Sequence, residues 1–135
     1  MTSNKSAYQT DVFTIRQLEP NILETTVIDR AILDVKDVWE AKKINTELSK
    51  GKPYAYLGVL GEFSEITDVA KELMASKEII GKTIAKALLI KSLSDRLLAN
   101  FYLKISKPAL KTRVFTSREK ALVWLRSELK KNLIT

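Results

Sequence analysis

The 135-residue sequence predicts a single α/β layered domain, on three observations. Two short, mainly apolar runs, residues 54–60 and 83–90, are too brief for helices and fit strands buried on both faces. Segments with helical spacing alternate with them, as crossover connections require. The chain is also too short for two independent cores but long enough to bury about two-thirds of its unfolded surface in one. Residues 11–131 are expected to form the domain, preceded by a polar, aperiodic tail over residues 1–10.

In chain order, residues 12–18 and 22–28 mix β-branched and polar side chains around Glu19-Pro20-Asn21, where Pro presets φ and Asn tolerates a left-handed turn. They predict an antiparallel hairpin. Asp34 is placed to cap a helix with apolar positions at Val38, Ala41, Ile44 and Leu48, in which Asn45 is out of character; Gly51 and Pro53 end it. The strand at 54–60 is expected to be central. Ile66, Val69, Ala70, Leu73 and Met74 put one apolar stripe on a helix opening near Ser64 or Thr67, which Gly81 terminates. After the strand at 83–90, a helix from about Ser94 carries Leu93, Leu97, Leu98, Phe101, Tyr102 and Ile105, an apolar arc wider than one sheet face needs; Lys107-Pro108 stops it. A strand at 112–115 leads into a capping box of Thr116 and Glu119, then a last helix with Ala121, Leu122, Trp124, Leu125 and Leu129 inward. Crossovers between parallel strands are expected to be right-handed.

Composition excludes much chemistry. With no Cys and no His there are no disulfides, thiolate nucleophiles, imidazole bases or imidazole metal ligands, so a non-catalytic protein is expected, without catalytic residues, metal or cofactor. The chain has no apolar run of eighteen residues and no basic-then-apolar leader, which predicts no membrane span and a cytoplasmic location. Charge is uneven: residues 1–67 hold 8 Lys/Arg against 10 Asp/Glu, and residues 68–135 hold 15 against 6. The basic half would attract anionic partners. Without interleaved aromatics or a nucleic-acid motif it reads better as solvated element faces, so nucleic acid is disfavoured.

Gly81-Lys82-Thr83 lacks the earlier glycine of a phosphate-binding loop, since Ser76 stands there, and four glycines in the chain make no dinucleotide fingerprint. Glu62 with Glu65 and Asp34 with Asp37 sit at helix starts, where acids are favourable without any cation.

The strand at 53–60, Ala87-Leu88-Leu89-Ile90 running through Ser92 into Asn100-Phe101, Lys107-Pro108, Arg113-Val114-Phe115 and the closing segment from Glu119 with Ala121, Trp124 and Leu125 together resemble the SpoIIAA-like group of small bacterial proteins, relatives of STAS and CRAL-TRIO domains. The resemblance covers residues 12–129. It implies a mixed sheet of four to five strands with an N-terminal antiparallel hairpin and about four helices packed on it, and a regulatory or protein-interaction role with an unknown protein partner. In the anti-sigma-antagonist branch of STAS domains, a phosphorylated Ser or Thr follows the central strand. Here the matching segment offers Ser64 and Thr67, but the usual Asp-Ser-Ser-Gly type motif is absent, and each hydroxyl is more simply a helix cap. The CRAL-TRIO relationship implies an alternative, a carrier or sensor of a lipid-like or amphipathic anion. The wide apolar helix, with Leu97, Phe101, Tyr102 and Ile105 beside Lys104 and Lys107, reads first as core and edge covering, next as a homodimer interface, and last as a pocket for such an anion.

Overall fold

A computed structural model describes residues 7–91 and 110–134 of the chain. Strands β1 (Ala7–Gln9), β2 (Phe13–Glu19), β3 (Ile22–Val27), β5 (Tyr54–Leu60), β7 (Thr83–Leu89) and β8 (Lys111–Phe115) form one sheet in the order β1-β2-β3-β5-β7-β8. The first three strands pair antiparallel and the remaining neighbours parallel. The SpoIIAA-like mixed sheet therefore has six strands, against the four to five expected. The added strand β1 lies inside the segment predicted to fray: its three residues pair with Thr14, Ile15 and Arg16, and the Tyr8 hydroxyl donates to Glu47. A three-residue strand has no periodicity to read, so only its pairing reveals it.

Local chemistry sets the joints. Asn21 takes φ 62° between β2 and β3, and its side-chain amide donates to the Pro53 carbonyl at 2.7 Å, fastening the hairpin turn to the start of β5. Helix α1 (Val35–Leu48) starts at Asp34, whose carboxylate accepts from Val35 N–H, while Asp37 accepts from the Asp34 N–H at 2.9 Å. It ends where Lys50 and Gly51 turn to positive φ. The stripe expected to make one long helix after β5 is divided. Ile66 belongs to β6 (Glu65–Ile66), which pairs in parallel with β4 (Ile32–Leu33) in a separate small sheet. Helices α2 (Asp68–Met74) and α3 (Lys77–Ile80) follow, separated because Ser76 caps the second.

Alternation along β5 and β7 assigns the two faces. Ala55, Leu57, Ala85 and Ala87 pack against Ala121 and Leu125 of helix α4 (Arg118–Ile134), all seven residues of this cluster with Ile22 being buried. Small side chains on the sheet let the helix axis approach closely, and Leu125 fills the space beneath it. Helix α4 is capped by Ser117, whose hydroxyl accepts from Lys120 N–H at 3.3 Å; this single cap one residue on replaces the expected Thr116–Glu119 box, since Lys120 at the third position has no acceptor to return the bond. Ion pairs pin α4 across the sheet: Arg126 grips Glu19 through two bonds of 2.8 Å, Arg118 reaches the buried Glu24, and Lys111 on β8 reaches the buried Glu128 at 2.9 Å. The opposite face carries Phe13, Ile15, Leu23, Val27 and Tyr54 against Val38, Ile44 and Leu48 of α1 and Ala70 of α2. That second layer is less completely closed, and the opening is the site described next.

Candidate functional site: a cavity beneath helices α1 to α3

A cavity of about 690 Å³ lies between the sheet and helices α1, α2 and α3, a size within the range of small-molecule sites. Its existence follows from the residues of β5. In Tyr-Ala-Tyr-Leu-Gly-Val-Leu, positions 54, 56 and 58 all face the cavity, and Gly58 contributes no side chain. A Cβ at Gly58 would come within 3.3 Å of Leu88, which shows how closely the β7 side chain lies over that missing volume. On α1 the facing residues are Val38, Ala41, Lys42 and Asn45; Met74 of α2 and Ile79 of α3 complete an apolar wall.

The cavity is polar at one end and apolar at the other. The strands enter it at Tyr54 and Thr83 and leave it at Leu60 and Leu89, a run of roughly 20 Å at about 3.3 Å per residue. Around Tyr54 stand Lys42, Asn45 and Thr83. Burial raises the Tyr54 phenol, an effect partly offset by hydrogen bonds with Thr83 and Asn45. The Lys42 ammonium lies 5.6 Å from the Tyr54 ring centre and donates a long 3.4 Å bond to the Ile80 carbonyl; its withdrawal from solvent lowers its pKa. In the middle of the run, Lys86 sits 5.5 Å over the ring of Tyr56. Tyr56 lies deep in the molecule, which pushes its phenol well above the usual range, yet it is only half-buried by area, as befits a side chain facing an internal void. The far end is walled by the apolar Leu60, Phe63, Ile66, Leu88 and Ile90, with Phe63 79% exposed and Glu62, Ser64 and Lys91 at the rim.

Two buried oxygens on this lining, Thr25 Oγ1 and Asn45 Oδ1, have no hydrogen-bond partner. A buried, unpaired acceptor costs about 1–3 kcal/mol, so such atoms need a reason.

The residues singled out from sequence distribute as follows. Thr67 is the N-cap of α2: its Oγ1 accepts from Ala70 N–H at 3.1 Å and donates to Asp34 at 3.0 Å. Ser64 lines the cavity rim and donates to the Gly61 carbonyl at 2.8 Å, before β6 and not at a helix start. Leu97, Phe101, Tyr102, Lys104, Ile105 and Lys107 lie outside the described residues; the residues flanking their segment, Lys91 and Leu110, both line the cavity. Sequence reading missed Lys42, Tyr54, Tyr56 and Lys86. A signal for the two lysines was present: Asn45 breaks the apolar stripe of α1 three residues after Lys42, and Lys86 interrupts a mainly apolar strand. Among the described residues no group of three or more His, Cys, Asp or Glu side chains is placed to hold a metal ion. No helix there is long and apolar enough to cross a membrane.

A six-stranded mixed sheet with an antiparallel hairpin at one end and helices on both faces defines a protein of SpoIIAA-like fold. The structure is similar to that of an uncharacterized protein from the DUF3478 family with a SpoIIAA-like fold from Shewanella loihica PV-4, with a TM-score of 0.56 and 15% identity, over 93% of this chain and 98% of that one. The chain itself belongs to the family described as Domain of unknown function (DUF7793), whose pattern matches residues 16–129. No functionally curated protein matches it.

Proposed function

We propose that this protein is a non-catalytic binding domain that carries or senses a small amphipathic anion. The observation that supports this most directly is the cavity of about 690 Å³, apolar along most of its wall and lined by Lys42, Lys71, Lys86 and Lys91. An apolar tail entering it would release its own hydration and that of the wall, at about 25 cal/mol per Å² buried. A lysine in that lining gains from an anion what it loses in solvent contact. Among the described lining residues Glu62 is the acidic side chain, at the exposed rim beside Phe63. A sequence with neither imidazole nor thiol supports binding over chemistry.

The test is native mass spectrometry of the freshly purified protein before and after denaturation, followed by thermal unfolding with added dodecanoate. The expected result is a small co-purifying mass lost on denaturation, or a midpoint that rises with dodecanoate as mass action requires. Gly58→Leu, which fills the cavity from the strand, should abolish both. A ligand-free protein whose midpoint ignores dodecanoate overturns the reading. That result would favour a regulatory interaction domain, which the exposed apolar side chains Leu60 and Phe63 at the rim also support.

A further inference from the structure

The polar end of the cavity is more specific than an apolar slot with a cation. Lys42 and Asn45 are three residues apart on α1, hence neighbours on one helix face. Both address Tyr54: the ammonium lies 5.6 Å from its ring centre, and the amide stands close enough to its hydroxyl to help hold the phenol pKa down. Lys42 is half-buried, and among the described residues no carboxylate pairs with it. Gly81 leaves the room that the ammonium occupies, because a Cβ there would come within 2.6 Å of Lys42 Nζ. Asn45 is 6% exposed, its Oδ1 is unpartnered, and it lines the same cavity. Each of these two groups lacks one thing. The ammonium lacks an anion, and the amide oxygen lacks a hydrogen-bond donor. A plain carboxylate supplies the first and not the second, since it only accepts.

We propose that Lys42 and Asn45 form a head-group site for an apolar-tailed monocarboxylate that carries a hydroxyl or N–H donor a few bonds from its carboxylate. The carboxylate sits against Lys42, the donor faces Asn45 Oδ1, and the tail runs along β5 and β7 toward Leu88 and Leu60. A single negative charge fits because, among the described residues, Lys42 is the ammonium placed at the Tyr54 ring, while Lys86 lies further along the run over Tyr56, and a buried second charge at the Tyr54 end would stay uncompensated. 3-Hydroxy acids and N-acyl amino acids share this chemistry. The inference rests on the cavity-binding reading above.

Titration calorimetry with the full chain separates the two. The ligands are dodecanol, dodecanoate, 3-hydroxydodecanoate and dodecyl phosphate, against wild type, Lys42→Met and Asn45→Leu, each variant checked for native circular dichroism. Dodecanoate should bind wild type at least tenfold more tightly than dodecanol. The hydroxy acid should gain about a further tenfold, the scale of one good hydrogen bond. Dodecyl phosphate, with its second ionisation near pH 6, should bind more weakly than dodecanoate at pH 8. Lys42→Met should remove the preference of acid over alcohol and spare dodecanol; Asn45→Leu should remove the preference for the hydroxyl and spare the plain acid. Equal binding of alcohol and acid, or no gain from the hydroxyl, overturns the head-group assignment while the cavity reading stands. Tighter binding of the phosphate overturns the single-charge assignment. Binding of none of the four overturns both readings.

Discussion

At Gly61, the chain leaves β5 so close to the preceding loop that a Cβ would lie 2.5 Å from both Asp29 N and Val27 O. Those are backbone atoms, which no rotamer change can move aside. Gly61→Ala should therefore destabilise the protein by about 1–3 kcal/mol, read as a lower urea midpoint with an unchanged slope. Asn45 gives the opposite sign. Its unpaired Oδ1 costs the folded state, and its apolar neighbours on α1 include the buried Ile44 and Leu48. Asn45→Leu, which keeps the branched heavy-atom skeleton and can extend its larger methyl groups into the adjoining cavity, should be neutral or stabilising by up to about 1 kcal/mol in the ligand-free protein, because removing an unsatisfied acceptor offsets the lost interaction with Tyr54. A clear drop in the midpoint would show that the amide is structural. The sequence already marked Asn45 as a misfit in an apolar stripe. It did not show what the misfit faces, because that depends on Tyr54 arriving from a strand nine residues further on.

Among the elements, those with long repeating signals were legible and those held by a partner were not. The bounds of α1 follow from Asp34, Gly51 and Pro53, all local, and β5 and β7 follow from apolar runs between breakers. Strands β1, β4 and β6 have two or three residues each, and their identity lies in the register with Arg16 or between Leu33 and Ile66. The stripe from Ile66 to Met74 suggested one helix with its apolar face inward, yet Val69 is 62% exposed, since the small β4–β6 sheet takes Ile66 and reorients the segment. Thr67 then holds the junction, capping α2 and donating to Asp34, the cap of α1. Thr67→Ala should cost about 1 kcal/mol through lost capping, measured by thermal or urea unfolding. An unchanged midpoint would mean that α2 is held by packing alone. The cavity itself was not legible: the residues expected to form a pocket, around Phe101, lie outside the described structure, while Lys42 and Lys86 come to line one cavity only when α1 folds over the strands.

For the molecule as a whole, part of the basic second half ties α4 to the sheet: Arg118, Arg126 and Lys111 each meet a carboxylate across that junction, and Lys131 joins Glu128 within the helix. This arrangement shapes stability against pH. Hydrogen bonds from Arg126 hold Glu19 below the ordinary carboxylate range, Lys111 and then Lys131 do the same for Glu128, and backbone and Thr67 bonds lower Asp34. Because these groups release protons more readily folded than unfolded, their stabilisation is complete above about pH 4.3 and drains away as pH falls through the lower folded values. The alkaline limb has another origin. Burial raises Tyr54 and Tyr56, so their contribution is present below about pH 10 and is lost as pH rises toward the folded values. Lys42 works against them there, since its lowered pKa means that deprotonation relieves a penalty paid in the fold. The urea midpoint should accordingly be flat from about pH 6 to 9 and fall on both sides. Combining Glu19→Gln with Glu128→Gln should lower the plateau and flatten the acid limb, leaving the alkaline limb as it was. Tyr54→Phe should soften only the alkaline limb. An acid limb of undiminished slope in the double glutamine variant would place the acid sensitivity elsewhere than in the ties between α4 and the sheet.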